Sequence, residues 1–168
     1  WLTKLQADAM KLPLLVKKTK GQKERELKDL EDGLKQAKEK YGIEGVVTGA
    51  LYSTYQRDRI EKICDKLSLK MFSPLWHIDQ EEELRAIIKA GFEVIMVSIA
   101  AEGLDASWLG TRLTNGHVDK LAALHKKNGL NIAGEGGEFE SLVLDSPMFK
   151  KRIVITKSKK KMENQCTG

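Results

Sequence analysis

The sequence predicts an α/β protein whose first part is built on a parallel sheet. Three observations carry this. Short apolar runs alternate with amphipathic helical stretches in βαβαβ order up to about residue 75. That order, with short connections, sets parallel strands side by side and packs helices on their faces. Residues 94–99 are almost wholly apolar, the pattern of a central strand buried on both faces. Asp79 and Glu82 stand three apart ahead of an apolar stripe, which marks a helix start and opens a second, smaller α/β unit from about residue 76.

In chain order, Leu2, Leu5 and Ala9 recur at helical spacing and predict a helix closed by Pro13. Leu14, Leu15 and Val16 read as a short buried strand. Gly21 breaks the chain. A helix over about 22–40 follows, with Leu27, Leu30, Leu34 and Ala37 on one face. Glu24 with Lys28 and Glu31 with Lys35 form i, i+4 pairs on its wet side, and Gly42 ends it. Residues 45–50 read as a strand running into a loop. A helix over about 54–67 puts Ile60, Ile63, Cys64 and Leu67 on one stripe, and 71–75 is the next strand. Beyond the junction at Trp76 and His77, a helix runs to about 90 and stops at Gly91. Residues 101–115 look irregular; Val118, Leu121, Ala122 and His125 mark a helix ended by Gly129. Ile132, 142–144 and 151–156 supply the last strands.

Charge narrows the function classes. Of 29 basic and 24 acidic residues, seven and one fall in 150–168, which leaves 22 and 23 before them. The basic excess belongs to residues 150–168, which end in a basic tail at 157–168, so the body argues against a nucleic-acid partner. No apolar run is long enough to span a membrane, and the first residues lack the pattern of a signal peptide. Cys64 and Cys166 lie far apart without metal-ligand spacing, so free thiols and a cytoplasmic location are expected, with no metal site. Cys64 and His125 fall on apolar stripes and read as core; His117 falls near a helix start.

Two segments concentrate chemistry. Residues 134–140 carry Glu135, Glu138 and Glu140 among Gly134, Gly136 and Gly137. Glycines let a backbone turn sharply and approach a ligand, and carboxylates there grip a cation or move a proton; a plain acidic turn is the competing reading. Phe139 reads as core under both. The second segment, 49–59, lies where a strand ends and a helix begins, the place where open parallel sheets bind ligands and where free N–H groups face an anion. A capped helix with exposed arginines is the competing reading. No G-x-x-x-x-G-K-[ST] loop occurs, and no G-x-G-x-x-G follows a strand.

GALYSTYQRDRIEKICDKLSLKMFSPLW at 49–76 and GEGGEFESLVLDSPMFKKRI at 134–153, supported by LQADAMKLPLL near the start and AAEGLDASWLG at 100–110, resemble the diphthine–ammonia ligase family. This is the N-type ATP pyrophosphatase branch of the adenine-nucleotide α-hydrolase fold. The resemblance implies a partial HUP/Rossmann-like nucleotide domain over 1–75 and a substrate-binding domain over 76–156. It implies ATP-dependent amidation of diphthine on translation elongation factor 2, with ATP, accompanied by Mg, and ammonium as co-substrates. Gly49, Ser53, Tyr55, Gln56 and Arg59 would bind the nucleotide. Glu135, Glu138 and Glu140 would be catalytic, facing a cleft, and Trp76, Gly134, Gly136 and Gly137 would hold the substrate. The family's S-G-G-x-D-S phosphate loop is not among these residues. A sheet without its first strand and helix is expected to form a homodimer or to expose an apolar patch.

Overall fold

A computed structural model describes residues 1–19, 25–163 and 167–168, without the side chains of Arg25 and Gln56. The expectations for Gly21, the start of the helix at 22–24, the Glu24–Lys28 pair and Cys166 lie outside the described residues. Contacts divide the chain into two compact units, one of Leu14–Ile78 and one of Trp1–Pro13 with Asp79–Gly168.

The Leu14–Ile78 unit is a βαβ element preceded by a helix. Helix α1 (Leu2–Met10) belongs to the other unit; α2 (Arg25–Tyr41), β1 (Gly45–Val47), α3 (Thr54–Lys66) and β2 (Lys70–Phe72) follow here. Strands β1 and β2 pair in parallel with Gly45 opposite Lys70 and Val47 opposite Phe72. The Ile63 and Cys64 stripe of α3 is buried as its spacing predicts. Thr48 Oγ1 and Ser73 Oγ meet at 2.8 Å and tie the carboxyl ends of the two strands together. Val47 and Phe72, register partners on one face, remain 71% and 64% exposed, an apolar pair open to water. Glu31, expected beside Lys35, pairs with Lys66 at 2.6 Å.

Residues 14–16 are not a strand, contrary to expectation. Leu15 instead lies along α2, 4.0 Å from where a Cβ on Gly33 would stand, and lines a groove with Leu30, Leu34 and Ala37. An apolar segment gains as much by covering a helix stripe as by joining a sheet, and the helix offered the nearer face.

The other unit holds the main core. After α1 come α4 (Gln80–Lys89), β3 (Glu93–Ile99), α5 (Asn115–Asn128) and β4 (Phe139–Asp145). Strands β3 and β4 run antiparallel, Ile99 opposite Phe139 and Ile95 opposite Leu142, with an irregularity between Met96 and Ser98. Strand β3 is bordered on both edges as expected of a central strand, but it is not buried on both faces, because Val97 is 41% exposed. Its other edge is taken by the stretch that looked irregular: Gly110 N donates to Met96 O at 2.7 Å and Leu113 N to Val94 O at 2.8 Å. Val94, Met96, Ile99, Leu104, Val118 and Leu121 form the buried centre.

Residues 151–156 and Ile132 are also not strands. Pro147 sits in a turn fixed by Phe149 N to Ser146 O (2.9 Å), after which Ile153 makes a single ladder-like bond to Leu144 O (2.8 Å) and the chain leaves the sheet. The Ile132 N–H donates to Gln80 Oε1 at 2.9 Å, a side-chain acceptor replacing a strand partner. The lysine-rich end docks locally: Lys160 Nζ donates to Ala106 O at 3.2 Å, and Ile99 and Gly168 exchange backbone hydrogen bonds of 2.8 and 3.0 Å.

Helix α4 starts as the sequence requires. Asp79 Oδ1 accepts from the N–H groups of Glu81 and Glu82, both at 3.0 Å. Asp79→Ala should lower stability by about 1 kcal/mol, the usual worth of an N-cap carboxylate, and thermal unfolding of the variant measures it. An unchanged midpoint would show that water replaces the cap.

Candidate functional site

The turn at 134–138 is built by its own residues. Gly134 and Gly137 have φ of +78° and +88°, conformations that side chains strain. Gly137 N donates to Gly134 O (3.1 Å), and Glu135 N donates to Asn131 Oδ1 (3.1 Å). The three glutamates then part company. Glu138 turns its carboxylate back, accepting from Gly136 N at 2.9 Å and Asn131 N at 3.3 Å. It thus satisfies backbone donors that the glycines leave unpaired. Glu140 lies on β4 opposite Ser98 and is exposed. Phe139 packs against the core, and its ring lies 3.0 Å from where a Cβ on Gly134 would stand.

Glu135 lines a cavity of about 270 Å³ with Glu83 of α4, an acid that the sequence reading passed over. The walls are Leu84, Ile87, Phe92, Met96, Phe139 and neighbouring aliphatic side chains, and Ser141 is the other polar residue. Glu83 Oε2 is shut off from solvent and has no hydrogen-bond partner. Burial pushes the Glu83 carboxyl above its ordinary range, and the charge of Glu135 adds to the shift. Arg85, two residues on, is engaged with Glu81 and Asp119 at 2.7 and 2.6 Å. A signal for Glu83 was faint in the sequence, because Glu81, Glu82 and Glu83 together read as the acidic first turn of a helix.

The second segment lies in the Leu14–Ile78 unit, at the carboxyl ends of β1 and β2 and the start of α3. Gly49 has open space where a Cβ would project, and Ser53 precedes the helix with its carbonyl accepting from Arg57 N at 3.0 Å. Tyr55 and Arg59 lie one turn apart on α3, with the guanidinium 3.2 Å from the ring centre, and line a 320 Å³ groove with Glu26, Leu27 and Leu30 of α2. Trp76 belongs to a stack that residue types alone did not show. It lies 4.7 Å from His77, which in turn lies 5.4 Å from Tyr52, while Arg57 covers Trp76 at 4.9 Å. Cys64 is buried. Elsewhere, His125 Nδ1 meets Leu130 O at 2.8 Å, and His117, beside the start of α5, meets Thr114 Oγ1 at 2.7 Å. Among the described residues no helix is long and apolar enough to cross a membrane.

Comparison with known proteins agrees with the resemblance. The diphthamide synthase N-terminal domain matches residues 1–71 and the diphthamide synthase C-terminal domain matches residues 79–167. A diphthine–ammonia ligase of Schizosaccharomyces pombe is 50% identical over 114 residues, covering 68% of this chain and 19% of that protein. The diphthine–ammonia ligase of Rattus norvegicus is 41% identical over 167 residues, covering 92% of this chain and 62% of its own length. That of Homo sapiens is 36% identical over 165 residues, with the same two shares of 92% and 62%. The chain thus spans about three fifths of the length of these mammalian relatives and a fifth of the yeast one. With both domains matched in order along the sequence, the chain belongs to the diphthamide synthase family.

Proposed function

We propose that this chain belongs to an enzyme that amidates diphthine on translation elongation factor 2, using ATP and ammonium. The observation that carries the reading is the ordered match to both diphthamide synthase domains by a chain that keeps the strand-end segment and the acidic turn. The carboxylate is activated as an acyl-adenylate with loss of pyrophosphate, and ammonia then displaces AMP. ATP, with Mg on its phosphates, supplies the activation. The start of α3, set at the carboxyl ends of parallel strands, suits an anionic nucleotide through the positive end of the helix dipole. Gly49, Ser53, Tyr55, Gln56 and Arg59 are proposed as its contacts. Glu135 and Glu140, the two glutamates not folded into the turn, are proposed to hold the cationic amine and take its proton, with Glu138 and the three glycines shaping the loop and Trp76 on the substrate side.

The test is a chimera in which residues 1–168 replace the matching stretch of the rat ligase, assayed beside the chain itself for AMP and pyrophosphate release with unamidated elongation factor 2. Turnover by the chimera supports the assignment. A folded chimera that binds the factor but releases no AMP overturns it in favour of a substrate-binding module. Within an active chimera, Arg59→Ala should raise the KM for ATP about tenfold, the worth of one charge-assisted hydrogen bond. Initial rates against ATP concentration measure it, and an unchanged KM would return Arg59 to packing between α2 and α3.

A further inference from the structure

We propose that Gln80 is a positioning residue for the acidic turn: its side-chain carbonyl fixes where the turn stands against α4. The role deepens the ligase reading and rests on it for the link between the position of the turn and amide formation. Gln80 Oε1 accepts from two successive backbone N–H groups, Ile132 at 2.9 Å and Ala133 at 3.3 Å, which lie 52 and 53 positions away in the chain. Two donors facing one atom require an oxygen there, so they also fix the orientation of the amide. Ile132 is buried, and a buried N–H left without an acceptor is costly.

The turn is well braced within itself and has few anchors elsewhere. Glu135 N bonds to Asn131 Oδ1, Gly137 N to Gly134 O, and the Glu138 carboxylate accepts from Gly136 N and Asn131 N. These bonds keep its shape but tie it to no other element. Among the described residues its outward hydrogen bonds come at the two ends. At the far end Ala100 N donates to Glu138 O at 2.7 Å, backbone to backbone. At the near end the tie is the Gln80 side chain. A body fixed at one end pivots, whereas a body fixed at both holds its angle. Gln80 opens α4, and Glu83 lies three residues on, along the same helix face. Glu83 and Glu135 line one cavity, which Gln80 itself does not line. The tether therefore sets how Glu135, which handles the amine in the ligase reading, stands against α4, without touching the reacting groups.

The experiment has two arms and two variants. Gln80→Met keeps the length and helix preference of the side chain and removes the acceptor, whereas Gln80→Glu keeps an acceptor oxygen in the same place. In the first arm, amide hydrogen exchange is followed in the 15N-labelled 168-residue chain without nucleotide. Gln80→Met should speed exchange at Ile132 and Ala133 about tenfold, the worth of one hydrogen bond, and leave β3 and β4 unaltered, while Gln80→Glu should match the wild type. In the second arm, the active chimera is assayed for amide formed per pyrophosphate released and for the KM of ATP. Gln80→Met should lower the ratio about tenfold with the KM for ATP unchanged, and Gln80→Glu should restore it. With the turn free to pivot, water in place of ammonia attacks the acyl carbon of the adenylate, AMP leaves, and the carboxylate is regenerated without an amide. A merely structural role would lower amide and pyrophosphate together and keep their ratio. That result, unchanged exchange at Ile132 and Ala133 in Gln80→Met, or failure of Gln80→Glu to restore the ratio each overturns the proposal. An inactive wild-type chimera would sink the ligase reading, and the exchange arm would then decide the tether by itself. If Gln80→Met does not fold, Gln80→Ala, which lets water reach both N–H groups, takes its place with the same expected results.

Discussion

Gly134→Val is expected to destabilise the unit formed by Trp1–Pro13 and Asp79–Gly168 by roughly 3 kcal/mol, combining a strained left-handed backbone with overpacking. The backbone at 134 has φ of +78°, where a β-branched residue is poorly tolerated. The new side chain would also begin 3.0 Å from the Phe139 ring, which must shift from its packing against the core to admit it. Both costs fall on the turn that carries Glu135. Urea unfolding followed by Trp108 fluorescence gives the loss, and the double variant with Phe139→Ala separates the two causes. Relief of the steric part should make the two substitutions less costly together than their sum. A loss below about 1 kcal/mol would mean that the turn re-forms without its tight contact to the ring.

Glu83→Leu is expected to act in the opposite direction on stability. It removes a buried, unpartnered oxygen, so the variant should gain about 1–2 kcal/mol at neutral pH. The sign follows from linkage. A carboxyl raised by burial is favoured in its protonated form when folded, so its contribution is intact below the ordinary glutamate range and is lost as pH rises through the raised value. The advantage of leucine should therefore shrink toward acid and be full above that window. Turnover in the chimera should fall at least tenfold. A residue whose removal steadies the fold while ending the chemistry is kept for the chemistry. A variant that is both less stable and equally active would make Glu83 an ordinary packing residue.

Much of the architecture was legible because it rests on local rules. The Asp79 cap, the Ile63 and Cys64 stripe, and Gly129 closing α5 with φ of +77° each follow from a few adjacent residues. The failures came where distant segments decide. Leu15 packs on α2, residues 151–156 leave the sheet after Pro147, and 109–113 border β3 through isolated bridges rather than an alternating pattern. The site was half legible for the same reason. Spacing grouped Glu135, Glu138 and Glu140, but backbone donors at Gly136 and Asn131 captured Glu138, and the partner of Glu135 came from a helix some fifty positions earlier. Neither fact has a local signature.

The two borders of β3 hold it with unequal grip, and this bears on how the cavity opens to solvent. Along β4 the strand is held by a ladder that runs its whole length through two register shifts, whereas on the other side Gly110 and Leu113 attach by separate bonds to Met96 and Val94. A ladder opens cooperatively and rarely; separate bonds let go one at a time. Val94, Met96 and Leu113 all face the cavity, so the floor should breathe from the Leu113 side while the turn bearing Glu135 stays shut. Amide protons of Gly110 and Leu113 exchanging with solvent well ahead of those along β4 would be the mark of such a side door, and uniform exchange would close it.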